Sequence, residues 1–130
     1  MLQYIGRLDK EKLGKYKDKI VTEDVILTDE RKLHIYKNHN KDYDVILNNL
    51  SKVVLNPSEI LEDLKNKDTL FFIDKLGKNN LNVVIKLNTT NNKKYPRNSI
   101  MTAWIIRNKN LRKLVEKNKY RFKIDMSHPI

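Results

Sequence analysis

The chain has 130 residues, 39% of them hydrophobic and 33% charged, with a formal net charge of +11 and no cysteine. That length fits one domain around one core, and the apolar fraction is that of a globular chain rather than a disordered one. The absence of cysteine excludes disulfides, thiolate metal sites and a cysteine nucleophile, and with only Gly6, Gly14 and Gly77 there is no glycine-rich phosphate loop. The opening Met1–Asp9 lacks the apolar run of a secretory signal, and no stretch approaches the ~20 apolar residues that span a bilayer. The expectation is a soluble, cytoplasmic protein with no membrane partner.

In chain order, residues 4–8 predict a short first strand, followed by a charged segment to Lys19. Val25-Ile26-Leu27 is an apolar run leading to Thr28, a good helix N-cap, and Asp29 and Glu30 suit the positive end of a helix dipole. A helix from there to about His39 places Leu33 and Tyr36 toward the core, with Arg31, His34 and Asn38 on another stripe. Tyr43, Ile46, Leu47, Leu50, Val53 and Val54 recur at helical spacing up to Asn56-Pro57, where proline ends the helix. Glu59 and Glu62-Asp63 read as solvated carboxylates on a turn or short helix.

Leu70-Phe71-Phe72-Ile73 predicts a buried strand and 77–80 a turn. Leu81, Val83, Ile85 and Leu87 then alternate with Asn82, Val84, Lys86 and Asn88, a strand with one polar face. A basic loop over 89–98 leads to a third strand, 99–106. A short basic helix over 111–117 and a last strand over 120–124 complete the chain. Helices followed by strands in sequential antiparallel pairing give an α+β class, in a single domain with no internal repeat.

The charge is unevenly placed. Between Asn91 and Lys123 stand Lys93, Lys94, Arg97, Arg107, Lys109, Arg112, Lys113, Lys117, Lys119, Arg121 and Lys123, opposed only by Glu116, so this third carries nearly all of the net charge. A field of one sign favours a polyanion, whose binding is driven by counterion release from phosphates. The plainer alternative is a lysine-rich solubilising surface.

The residues able to carry chemistry are few. Of the three histidines, His128 falls in the C-terminal tail, whereas His34 and His39 lie on or just past the first helix. Imidazole suits proton transfer near neutrality. Five residues apart, the two rings differ by about 140° on a helix and converge only if the helix ends before His39; otherwise they are ordinary surface histidines. No HExxH spacing or carboxylate cluster accompanies them, so neither a metal nor another cofactor is expected. Lys86 is the one charge in its strand and suits stabilisation of a phosphorane; its plain reading is a solvated lysine. On an unbroken strand Thr102 and Trp104 share one face, and Ser99 reaches it only through a bulge or a strand start. Trp104 is either a base-stacking platform or core.

Taken together, Tyr4-Ile5-Gly6-Arg7-Leu8, Thr28-Asp29-Glu30-Arg31-x-x-His34-Ile35-x-x-x-His39, Asn56-Pro57-Ser58-Glu59-Ile60, the Leu81–Leu87 strand and Asn98-Ser99-Ile100-x-Thr102-Ala103 resemble the phage-associated members of the barnase–EndoU–colicin–RelE-like (BECR) nuclease superfamily. The resemblance runs from Tyr4 to about Tyr120. It implies N-terminal helices packed on an antiparallel sheet of about four strands. It also implies a metal-independent ribonuclease of toxin or effector type acting on cellular RNA. His34 and His39 match that family's histidine-bearing helix and Ser99 and Thr102 its hydroxyl-bearing strand, with Lys86 on the strand before.

The resulting expectation is an endoribonuclease that uses the ribose 2′-OH as nucleophile and leaves a 2′,3′-cyclic phosphate. His34 and His39 would transfer protons or hold the phosphate, Lys86 and Arg31 would stabilise the phosphorane and Thr102 would hydrogen-bond a phosphate oxygen. Arg97, Lys93 and Lys94 would grip the backbone, with Ser99 and Trp104 also in the binding set. The partner is RNA, with tRNA among the candidates, and an acidic antitoxin or immunity protein fits the charge; no oligomeric state is assigned. Two other classes stand beside this one: a non-catalytic basic RNA- or DNA-binding module of a phage or mobile element, and an interaction protein of such an element.

Overall fold

The computed structural model describes residues 2–89, 97–118 and the backbone of 121–122. Lys93, Lys94 and His128 lie outside the described residues. The elements run β1 (Leu2–Arg7), β2 (Asp24–Thr28), α1 (Asp29–Asn38), α2 (Tyr43–Leu55), β3 (Glu59–Glu62), β4 (Thr69–Leu76), β5 (Asn79–Lys86), β6 (Asn98–Ile106), α3 (Asn108–Lys117) and β7 (Arg121–Phe122). The class is α+β.

The strands form one sheet in the order β1-β2-β6-β5-β4-β3-β7. β3 to β6 make an antiparallel meander, β1 pairs antiparallel with β2, and β2 lies parallel to β6. The expected sheet of about four antiparallel strands is therefore corrected to a mixed sheet of seven. Two strands escaped notice for physical reasons. β2 is a short apolar run with every central residue buried, so it carries no alternation. β3 contains two glutamates, yet Glu62 is buried, where Tyr16 donates to its carboxylate at 2.9 Å and Lys15 pairs with it at 2.8 Å. Glu62 is thus not the solvated carboxylate that its sequence context implies.

One face of the sheet is closed by α2. Ile46, Leu50, Val53 and Val54 pack on Leu70 and Phe72 of β4 and on Leu81, Val83 and Ile85 of β5, with Leu13 and Tyr16 of the β1–β2 connection sealing the side. The helical spacing read from the sequence and the buried face of α2 coincide.

The parallel pairing of β2 is brief, Val25 with Asn98 and Ile26 with Ser99. Asn98 secures it: buried, it donates to the carbonyls of Thr22 (2.9 Å) and Asp24 (3.0 Å) and accepts from the Asn88 amide (2.9 Å). The chain then turns into α1, capped by the Thr28 hydroxyl accepting from the Arg31 amide at 3.2 Å. α1 packs along β6 where β2 leaves off. A helix beside a strand edge buries a narrow stripe, here Ile35 alone, so Leu33 and Tyr36 are each 51% exposed rather than facing the core as expected.

The other face of the sheet is covered only in part. Leu111, Leu114 and Val115 of α3 pack over Leu61, Phe71, Ile73 and Val84. This cover is why β5 is buried on both sides, Asn82 and Val84 included, rather than presenting the polar face expected from its alternation.

Candidate functional site

Beside α3, the second face of the sheet is left open as a groove of about 530 Å³. Its floor comes from Thr69 and Phe71 of β4, Val84 and Lys86 of β5 and Met101, Thr102 and Trp104 of β6. Arg31 and His34 of α1 form one wall, and Asp63, Asn66 and Lys67 of the β3–β4 connection form the other.

Strand register puts these side chains together. Cross-strand partners project to the same face. Phe71, Val84 and Thr102 form one row, and Thr69, Lys86 and Ser99 form the next. Ser99 and Thr102 would face opposite ways on a regular strand. Pairing steps from Val84–Thr102 to Ile85–Ile100, which leaves Met101 as an extra residue on β6. That bulge turns both hydroxyls to the open face while Ile100 and Ala103 stay in the core.

A second cavity, of about 450 Å³, adjoins the groove and shares Lys86 and Met101 with it. Arg97, Ser99, Asp68 and Thr89 line it as well. Lys86, exposed at the end of β5, therefore stands at the junction of the two spaces. Asp68 holds φ at 58°, a left-handed conformation that aspartate tolerates better than most residues. Its carbonyl accepts from the Leu87 amide (2.7 Å) and its carboxylate from the Thr89 hydroxyl (2.9 Å), fixing the rim.

Of the residues singled out in the sequence, Arg31, His34, Lys86, Thr102 and Trp104 line the groove, and Ser99 and Arg97 line the adjoining cavity. His39, the C-cap of α1, does not line the groove; its ring stacks beside the Trp104 indole at 6.4 Å and 23°. Trp104 is thus half-buried on the groove floor and not a closed core residue. Asn38 lies one turn after His34, its amide nitrogen 2.8 Å from the His34 carbonyl and 3.3 Å from His34 Nδ1. Because that nitrogen is the one that donates to the His34 carbonyl, it is also the donor that faces Nδ1, and in this arrangement the neutral ring carries its proton on Nε2.

Sequence pattern marks Asp63 only as a solvated carboxylate and does not single out Asn66 or Lys67, because loop residues carry no periodicity. Phe71 was readable as the outward neighbour of Phe72. Electrostatically the open face is basic, since α3 lies on it with Lys109, Arg112, Lys113 and Lys117 exposed. The nearby Lys65 ammonium lowers the pKa of Lys117 by like-charge repulsion. Asn118 ties the end of α3 to the groove wall by accepting from the Leu64 amide at 3.3 Å. Among the described residues, no three His, Asp or Glu side chains gather closely enough to hold a metal ion, and no helix is long and apolar enough to cross a membrane.

No protein-family model, no curated protein and no solved structure matches the chain.

Proposed function

We propose that the groove binds single-stranded RNA and cleaves it as a metal-independent endoribonuclease, the ribose 2′-OH serving as nucleophile. The observation that carries this reading is the gathering of Arg31, His34, Lys86 and Thr102 around one open groove. An imidazole, two cations and a hydroxyl supply from the protein itself the proton transfer and anion stabilisation that phosphodiester transesterification needs. The resemblance of the sequence to the BECR nucleases supports the same reaction class.

With its exposed ring turned off the Asn38 amide so that a nitrogen lone pair faces the substrate, His34 takes the proton from the 2′-OH, and O2′ attacks the adjacent phosphorus. Charge that builds on the equatorial oxygens meets the Lys86 ammonium and the Arg31 guanidinium, and the Thr102 hydroxyl donates to one of them. The P–O2′ bond forms as the P–O5′ bond breaks, O5′ takes a proton from solvent water, and His34 returns its proton to solvent. The products are a 2′,3′-cyclic phosphate and a 5′-hydroxyl. His39 backs the Trp104 indole, on which a neighbouring base stacks. Arg97 and Ser99 hold the next phosphate along, Lys93 and Lys94 extend that grip, and an acidic antitoxin would cover the same basic face. DNA lacks the nucleophile and is bound without being cut.

The test is incubation of total RNA with the purified protein in chelator. Fragments ending in 2′,3′-cyclic phosphate are expected, with DNA left intact. His34→Ala should lower the rate by roughly 10²- to 10⁴-fold while RNA binding persists. Loss of activity in chelator, or equal cutting of DNA, would overturn the mechanism. RNA binding without any cleavage by the unaltered chain would leave a nucleic-acid-binding module in its place.

A further inference from the structure

On that reading, the RNA path has a far end which the groove alone does not reveal. The row containing Lys86 does not stop at Ser99. Ser99 pairs with Ile26 of β2, and Ile26 pairs with Tyr4 of β1. Partners in register share a face, so Thr69, Lys86, Ser99, Ile26 and Tyr4 form one continuous line across five strands. The flanking residues confirm the side. Val25, Leu27 and the bulged Ile5 are buried in the core under α2, so Ile26 and Tyr4 point the other way, Ile26 itself buried and Tyr4 exposed.

Tyr4 ends this line with its side chain 56% exposed on an edge strand, where an aromatic ring gains little from the fold. Neighbouring strands lie about 4.8 Å apart, so three steps separate Tyr4 from Lys86 by roughly 14 Å. That span exceeds what one nucleotide covers. The cavity holding Arg97 and Ser99 lies between the two, on the same line.

We propose that Tyr4 is a base-stacking subsite for a nucleotide beyond the phosphate held at Lys86. Trp104 then receives a base on one side of that phosphate and Tyr4 on the other. The chain so held is single-stranded, because a stacked base must be out of a duplex to lie on a side-chain ring. The subsite selects for substrate length rather than for base identity, since every base has a π-face.

The experiment compares binding of a single-stranded 2′-O-methyl dinucleotide with that of a 2′-O-methyl oligomer of about six nucleotides, both fluorescently labelled and both without a free 2′-OH nucleophile. The unaltered protein should bind the longer oligomer more tightly. In Tyr4→Ala that gain with length should shrink roughly tenfold, the size expected for one lost stacking contact. Tyr4→Phe should keep it, and Tyr4→Leu, with bulk but no ring, should behave like alanine. A gain undiminished in both Tyr4→Ala and Tyr4→Leu overturns the subsite and leaves the groove intact. If the unaltered protein gains nothing from length, the RNA reading itself falls, and the subsite with it.

Discussion

The two faces of the sheet are built from the same strands, yet they close differently. Under α2, side chains from β1 to β6 form a continuous apolar layer. On the opposite face α3 covers only the part over Leu61, Phe71, Ile73 and Val84, and the remainder carries Lys86, Thr102 and Ser99 beside the half-buried Met101 and Trp104. Two of the buried polar side chains, one on each face, differ in their partners. Glu62 on the α2 side has two close partners, whereas neither amide atom of Asn82, beneath α3, has a hydrogen bond among the described residues. One face determines whether the chain folds; the other leaves cationic and hydroxyl side chains uncovered.

The largest expected effect tests that division directly. Phe72 is a large, fully buried side chain on the closed face. Phe72→Ala should cost about 3–5 kcal/mol through lost transfer energy and a residual cavity, read as a lower midpoint in urea unfolding. His34→Ala, at an exposed position on the open face, should shift stability by no more than about 0.5 kcal/mol. If the two substitutions destabilised alike, the faces would not be divided as described.

The closed face was largely legible in the sequence, because burial against one partner leaves a period. The six apolar positions of α2 gave its helix and its inward side, and the Thr28 cap gave the start of α1. Strand β5 was legible from its alternation, and β4 and β6 as apolar runs. The open face was harder. The alternation in β5 implied a polar face, but alternation cannot report that α3 comes back over it. The bulge at Met101, which gathers Ser99 and Thr102 on one side, depends on pairing with β5 and leaves no mark in β6 itself. The types of residue at the site were readable from their chemistry, whereas the β3–β4 wall and the Tyr4 end of the row follow from register and loop geometry alone.

The next effect in size concerns the polar residue under α3. Asn82 sits between Ile73 and Trp104 in the cross-strand row, fully buried. A buried amide without partners carries its desolvation penalty uncompensated, and leucine of similar volume does not. Asn82→Leu should therefore raise unfolding stability by roughly 1–2 kcal/mol. A drop in stability would mean that the amide is bonded in solution, and the contrast between the faces in polar satisfaction would disappear.

The smallest effect belongs to the satisfied polar group of the closed face, and it is read through pH. Burial first, and then the hydrogen bond to Glu62, push the Tyr16 hydroxyl up to about 12 from its ordinary value near 10. The neutral phenol is thus favoured on folding. Its contribution is fully present below pH about 10, the unfolded value, and is lost as pH rises through the folded value of about 12. Tyr16→Phe keeps the ring in the core and leaves Lys15 on Glu62. It should cost about 1 kcal/mol near neutrality, the net worth of one hydrogen bond, and its stability should fall less steeply than that of the unaltered chain above pH about 10. Parallel alkaline curves for the two proteins would detach Tyr16 from Glu62 and make the closed face's buried carboxylate depend on Lys15 alone.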